Sequence, residues 1–135
     1  MKRFSSIVLI FSVAVAGWAG VTSAGEVYVI CNAQVTLAPG DIKDVFVGDK
    51  GFVGALKLAP ADNSAAQAAF LEKVLKLDAA KYATIWTKKS FRDGATPPPV
   101  KGGDAEAIAY VKQTPGGCSY VSAAPSPGVS VVAKF

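Results

Sequence analysis

An α/β sandwich with a mostly buried sheet is the fold class this sequence predicts, on three observations. Short β-rich runs such as "EVYVIC" alternate with stretches whose apolar residues recur at helical spacing. Gly, Pro, Asn or Asp punctuates most of the changes between them. No linker, internal repeat or low-complexity tract divides the chain after its N-terminal segment, and 135 residues at 51 % hydrophobic content leave room for one domain. Periodicity gives the class without the strand order.

Taken in order, the chain begins with Lys2 and Arg3 ahead of "FSSIVLIFSVAVAGWAGV", an uncharged and mostly apolar run that ends at "TSA" before Gly25 and Glu26. This reads as a cleaved signal peptide over residues 1–24, with small residues at the processing site. The run is shorter than the roughly 20 residues a spanning helix needs. No Cys follows the site directly, which argues against a lipid anchor. The expected mature domain is 25–135, exported to the periplasm or secreted, without stable membrane insertion after cleavage.

Within that domain "EVYVIC" is short and β-rich enough for a buried strand. "APGDIKDVFVGD" places Ile42, Val45 and Phe46 at helical spacing, and Gly48 marks the stop. "ALKLAP" reads as a second strand, and "SAAQAAFLEKVLK" as a second helix with Phe70, Leu71, Val74 and Leu75 on one face. "DAAKYATIWTKKSF" reads as a third helix carrying Tyr82, Ile85 and Trp86, with Asp78 as its N-cap. Pro97 to Pro99 enforce an extended connector without backbone donors. Asp104 then caps "DAEAIAYVKQT", and Pro115, Gly116 and Gly117 end it. "CSYVSA" and "VSVVAKF" close the chain as strands, so the expectation is a small sheet packed by about four helices.

Charge and residue types narrow the function. The whole chain carries 14 basic and 10 acidic residues. Without Lys2 and Arg3 the balance is 12 against 10, a net charge of +2, too weak to point to nucleic acid or a membrane surface. Lys88, Lys89 and Arg92, partly offset by Asp93, read as a solvated helix end whose cations complement the dipole. The absence of His removes the commonest general base and the commonest transition-metal ligand. Ser64, Ser90, Ser119 and Ser122 lack both the G-x-S-x-G context and a Lys at S-x-x-K spacing. Asp41, Asp44 and Asp49 lack the alternating spacing of a calcium loop and read as solvated helix-surface charges. With no nucleophile beside a positioned base, the sequence is read as a non-enzyme that needs neither cofactor nor metal.

Cys31 and Cys118 lie too far apart for a C-x-x-C motif, and no other metal-ligating cluster accompanies them. In an oxidising compartment they predict a structural disulfide, worth about 4 kcal/mol in the chain-entropy account for so long a loop. Two separately buried thiols are the alternative. Trp86 and Tyr120, spaced among apolar neighbours, read as core residues.

The order of "VTLAPGDIKDVFVGDK", "LKLAPADNSAAQAAFLEKVL", "YATIWTKKSFRDGATPPP" and "DAEAIAYVKQTPGGCSYV" resembles the phosphate-type substrate-binding proteins of ABC transporters. The resemblance spans nearly the whole mature chain. Its marks are the "DVFVG" helix end, the strand-to-Ser turn with Phe six residues later, the Trp-bearing helix, the proline connector and "TPGGCSYV". It implies a single lobe of the type II periplasmic-binding-protein fold, with a mixed sheet, where complete members have two lobes around a cleft.

The resemblance also implies a site. The equivalent turn in the family looks like Arg-x-Asp-Gly-Ser-Gly-Thr and grips phosphate at a helix N-terminus, where unpaired N–H groups and the dipole favour anions. The implied ligand contacts are Asp62, Asn63, Ser64 and the backbone amides of Ala65 and Ala66. Pro60 stands in the Arg place, which removes charge-assisted hydrogen bonds worth about 1.5 to 3 kcal/mol each. A second reading of the same residues needs no ligand, because Ser64 followed by Gln67 matches the S-x-x-Q capping box. Two functions therefore stand side by side. One is an exported binder of a small phosphate-like oxyanion. The other is a lobe kept for contact with an ABC permease, another periplasmic protein or a second copy of itself in a homodimer.

Overall fold

A computed structural model describes residues 26–125 and 127–135. The signal peptide expected over 1–24 lies outside the described residues. Those residues form a mixed α/β fold with four α-helices, a four-stranded mixed sheet and two small two-stranded ladders.

The central strand β1 (Tyr28–Asn32) comes from "EVYVIC", as the β-rich run predicts. A 3-10 turn at Pro39–Asp41 leads into α1 (Ile42–Phe46), which buries Ile42, Val45 and Phe46. Gly48 closes this segment at φ 81°, and a Cβ there would stand 2.7 Å from the Trp86 ring, so the position needs glycine twice over. The stretch "ALKLAP" departs from expectation. It is not one strand: β3 (Leu56–Lys57) folds back on β2 (Phe52–Val53) as a hairpin, and only β4 (Ala59–Pro60) joins the main sheet. Apolar content alone could not show that break at Leu58.

β5 (Asp62–Asn63) leads through a turn into α2 (Gln67–Phe70), which continues as a π-helical turn over Leu71–Leu75. The next helix, α3 (Ala79–Asp93), begins as predicted: the Asp78 carboxylate accepts the Lys81 amide at 2.7 Å. The proline connector reaches β6 (Val100–Lys101), which pairs in parallel with β5. After α4 (Asp104–Gln113) come β7 (Gly117–Val121) and β8 (Val129–Lys134), the two closing strands the sequence predicts.

The sheet runs β4-β7-β1-β8, with β4 parallel to β7 and the other pairs antiparallel. Alternation along β1 feeds two clusters. Val29 and Cys31 pack with residues of α1, α2 and α3, while Ile30 packs with Ala107 and Val111 of α4. Both faces of the sheet are therefore covered, and all five residues of β7 are buried. At the centre Phe70 stacks on Tyr120 with ring centroids 3.8 Å apart, and Phe46 meets Phe70 edge-on at 4.8 Å.

Cys31 and Cys118 face each other in the β1–β7 register and form a disulfide. It staples the two innermost strands across 87 positions. Such a bond fits an oxidising compartment. No helix among the described residues is long and apolar enough to cross a membrane.

Candidate functional site: the turn between β5 and α2

The turn sits where three parts of the chain converge. β4 and β5 end there, β6 runs alongside, and α4 starts against it. The Asp62 amide donates to Pro99 O at 2.8 Å and the Ser64 amide to Lys101 O at 2.9 Å, which ties the turn to the end of the proline connector.

Asp62 is only 3 % exposed. Tyr120 donates its hydroxyl to Oδ1 at 2.9 Å, and the Tyr82 hydroxyl lies 3.1 Å from Oδ1 and 3.0 Å from Oδ2. Burial raises the Asp62 pKa above the usual carboxylate value, opposed by the hydrogen bonds from Tyr120 and Tyr82. Burial, reinforced by the Asp62 charge, pushes both tyrosine hydroxyls far above their ordinary range, so both stay protonated as donors.

Asn63 is fully buried and uses its whole side chain. Its Nδ2 donates to Asp104 Oδ1 at 2.8 Å and to Tyr120 O at 2.9 Å, and its Oδ1 accepts the Ala65 amide at 3.0 Å. Its backbone carbonyl accepts the Ala66 amide at 3.1 Å. The two amides that the resemblance assigns to an anion therefore already have partners within the turn. Ser64 and Ala65 are exposed, whereas Ala66 is buried.

Two capping expectations need correction. The N-cap of α2 is Ala66, with no side-chain cap, so Ser64 and Gln67 do not form the capping box. The Asx turn of Asn63 shifts the helix start two residues beyond Ser64. Asp104 is likewise the first residue of α4 rather than its cap, which is Gly103. Its carboxylate instead accepts Asn63 Nδ2 and the Ser122 amide and hydroxyl. Desolvation opposes ionisation of Asp104, yet the hydrogen bonds from Ser122, Asn63 and the Ala123 amide hold its pKa below the usual value.

Beside the turn lies an open groove of about 540 Å³ between α3 and the proline connector. Asp62 lines it, with walls from Tyr82, Trp86, Phe91, Pro97 and Val100. Trp86 is buried in the core as expected, its indole N–H donating to Phe46 O at 3.1 Å, and it also borders the groove. Tyr120 is a core residue as well, although its hydroxyl serves Asp62.

Among the remaining charged candidates, Asp41, Asp49 and Arg92 take part in ion pairs, the last with Asp93 at 3.2 Å. Asp41 pairs with Lys50 at 3.3 Å and Asp49 with Lys89. Lys89 is less solvated than the sequence suggested, since its side chain is only 12 % exposed, whereas Lys88 and Arg92 are exposed. Among the described residues no three Asp, Glu, Cys or His side chains gather as a metal site.

The sequence located Asp62, Asn63 and Ser64 but missed Tyr82, Tyr120 and Asp104 as their partners. These lie 20, 58 and 41 positions away, beyond the reach of any local pattern. No protein-family model matches the chain, and no curated protein matches it significantly.

Proposed function

We propose that the chain is an exported, non-enzymatic binding module: a single lobe of the type II periplasmic-binding-protein kind, resembling the phosphate-type substrate-binding proteins of ABC transporters. The position of the Asp62–Ala66 turn supports this reading. It lies past the ends of parallel strands and at the start of a helix, where open α/β sheets take their ligands.

An oxyanion such as phosphate is the ligand that the resemblance implies, with contacts from Asp62, Asn63, Ser64 and the amides of Ala65 and Ala66. The geometry gives it little to hold. Pro60 supplies no cation, Asp62 is buried under two tyrosine hydroxyls, and Asn63 occupies both amides. Losing a pair of charge-assisted hydrogen bonds alone costs roughly two to four powers of ten in affinity.

Within this class the geometry favours the second function, a lobe kept for contact with another periplasmic protein, an ABC permease or a second copy. The observation that carries it is the filling of the anion turn by Asn63. Exposed Phe91 and Val100 beside the groove supply apolar surface for such a contact. Equilibrium dialysis against labelled phosphate at micromolar concentration tests the choice. No retention is expected, and stoichiometric retention would restore solute capture as the function.

A further inference from the structure

We propose that the groove between α3 and the proline connector receives a cationic side chain, a lysine ammonium or arginine guanidinium of a partner protein, with Asp62 as its counter-ion. This deepens the reading of the chain as a partner-binding lobe and depends on it.

Charge complementarity is the first support. Asp62 is buried, yet the groups that hold it are neutral hydroxyls, and among the described residues no Lys or Arg lines the groove. A buried carboxylate without a positive partner keeps much of its desolvation cost, which an incoming cation offsets. Tyr120 donates to Oδ1, and the single Tyr82 hydroxyl proton is shared between Oδ1 at 3.1 Å and Oδ2 at 3.0 Å, so Oδ2 retains acceptor capacity. An anion entering here would meet a carboxylate and no cation.

The walls supply the second support. Tyr82, Trp86, Pro97 and Val100 line the groove with apolar surface that suits the methylene stem of a long cationic side chain, and the exposed Phe91 ring can add cation–π attraction to its head. Phe91 is 89 % exposed and Val100 60 %, so apolar surface continues from the groove to where a partner backbone would pass. Ser90, Thr87 and Gln67 add polar groups to the lining. A volume of about 540 Å³ is large enough for one such side chain.

The test is an NMR titration of isotope-labelled protein with N-acetyl-lysine-N-methylamide, its arginine counterpart, the neutral norleucine analogue and free butylammonium. Saturable shifts of the Trp86 indole and the Val100 amide are expected with the cationic probes, and at least about tenfold weaker binding with norleucine. Asp62→Asn should abolish that preference. Phe91→Ala, which removes only surface, should weaken the cationic probes severalfold and keeps the test decisive if Asp62→Asn does not fold. Butylammonium matching the lysine amide would overturn the peptide source in favour of a free amine. Equal response to norleucine, or no saturable shift, would overturn the proposal. A parallel phosphate titration separates the two levels: tight phosphate binding at Ser64 would overturn the partner-lobe reading itself, whereas silent cationic probes alone would remove only the groove.

Discussion

Asn63 and Asp104, 41 positions apart, meet at 2.8 Å, the amide of the first donating to the carboxylate of the second. That bond joins the turn before α2 to the first residue of α4 and leaves the Asn63 carbonyl oxygen free to accept the Ala65 amide. A turn that resembles an anion grip is thereby closed by its own side chain.

Asn63→Ala is expected to destabilise the fold by about 2 to 4 kcal/mol, since it removes three hydrogen bonds and leaves buried groups without partners. Ser64→Ala, at an exposed position without a capping role, should stay within about 0.5 kcal/mol. Urea denaturation of both variants checks the contrast. A loss of about 1 kcal/mol in Ser64→Ala would instead point to a working cap.

The two carboxylates of the site should respond to acid in opposite directions. The folded pKa of Asp104 is lowered, so its stabilisation is complete above the unfolded value near 3.9 and is lost as pH falls through the folded value. Asp62 has a raised folded pKa, so it is stability-neutral in acid and becomes destabilising as pH rises from about 3.9 through its folded value. Denaturation across the acid range should therefore show Asp104→Asn costing most near neutrality and least in acid. Asp62→Asn should compare best with the parent protein near neutrality.

Gly116→Ala tests the close approach of the end of β3, at Lys57 and Leu58, to the chain before β7. A Cβ there would lie 1.8 Å from the Lys57 carbonyl oxygen, so backbone must move. The expected cost is about 3 kcal/mol or more, at the upper end for overpacking. Gly40→Ala meets no atom within 4 Å and serves as the mild control in the same thermal melts.

Replacing both Cys31 and Cys118 by Ser should cost about 2 to 5 kcal/mol. Addition of reductant should destabilise the parent protein in chemical denaturation and leave the double variant unchanged.

Elements whose pattern is local were legible. β1, α1, α3 and the two closing strands follow from apolar spacing, and Asp78 from its place before an amphipathic run. The break at Leu58 was not, because "ALKLAP" is uniformly strand-like and its division is set by the β2–β3 hairpin and the pairing of β4 with β7. The site was half legible. Turn chemistry marked Asp62 to Ser64, but the S-x-x-Q pattern misplaced the α2 start, since the Asx turn of buried Asn63 holds the Ala65 amide and the helix begins only at Gln67, with Ala66 as its N-cap. Tyr82, Tyr120 and Asp104 acquire their roles only through tertiary contact.

The central claim, that Asn63 closes the turn before α2, is tested most directly by the thermal midpoint of the purified protein in millimolar phosphate, with sulfate and chloride at matched ionic strength. A ligand at about 100 times its dissociation constant would stabilise the fold by about 2.7 kcal/mol, several degrees for a domain of this size. The account predicts the same midpoint in all three anions. A phosphate-specific rise of several degrees that disappears in Ser64→Ala would contradict it.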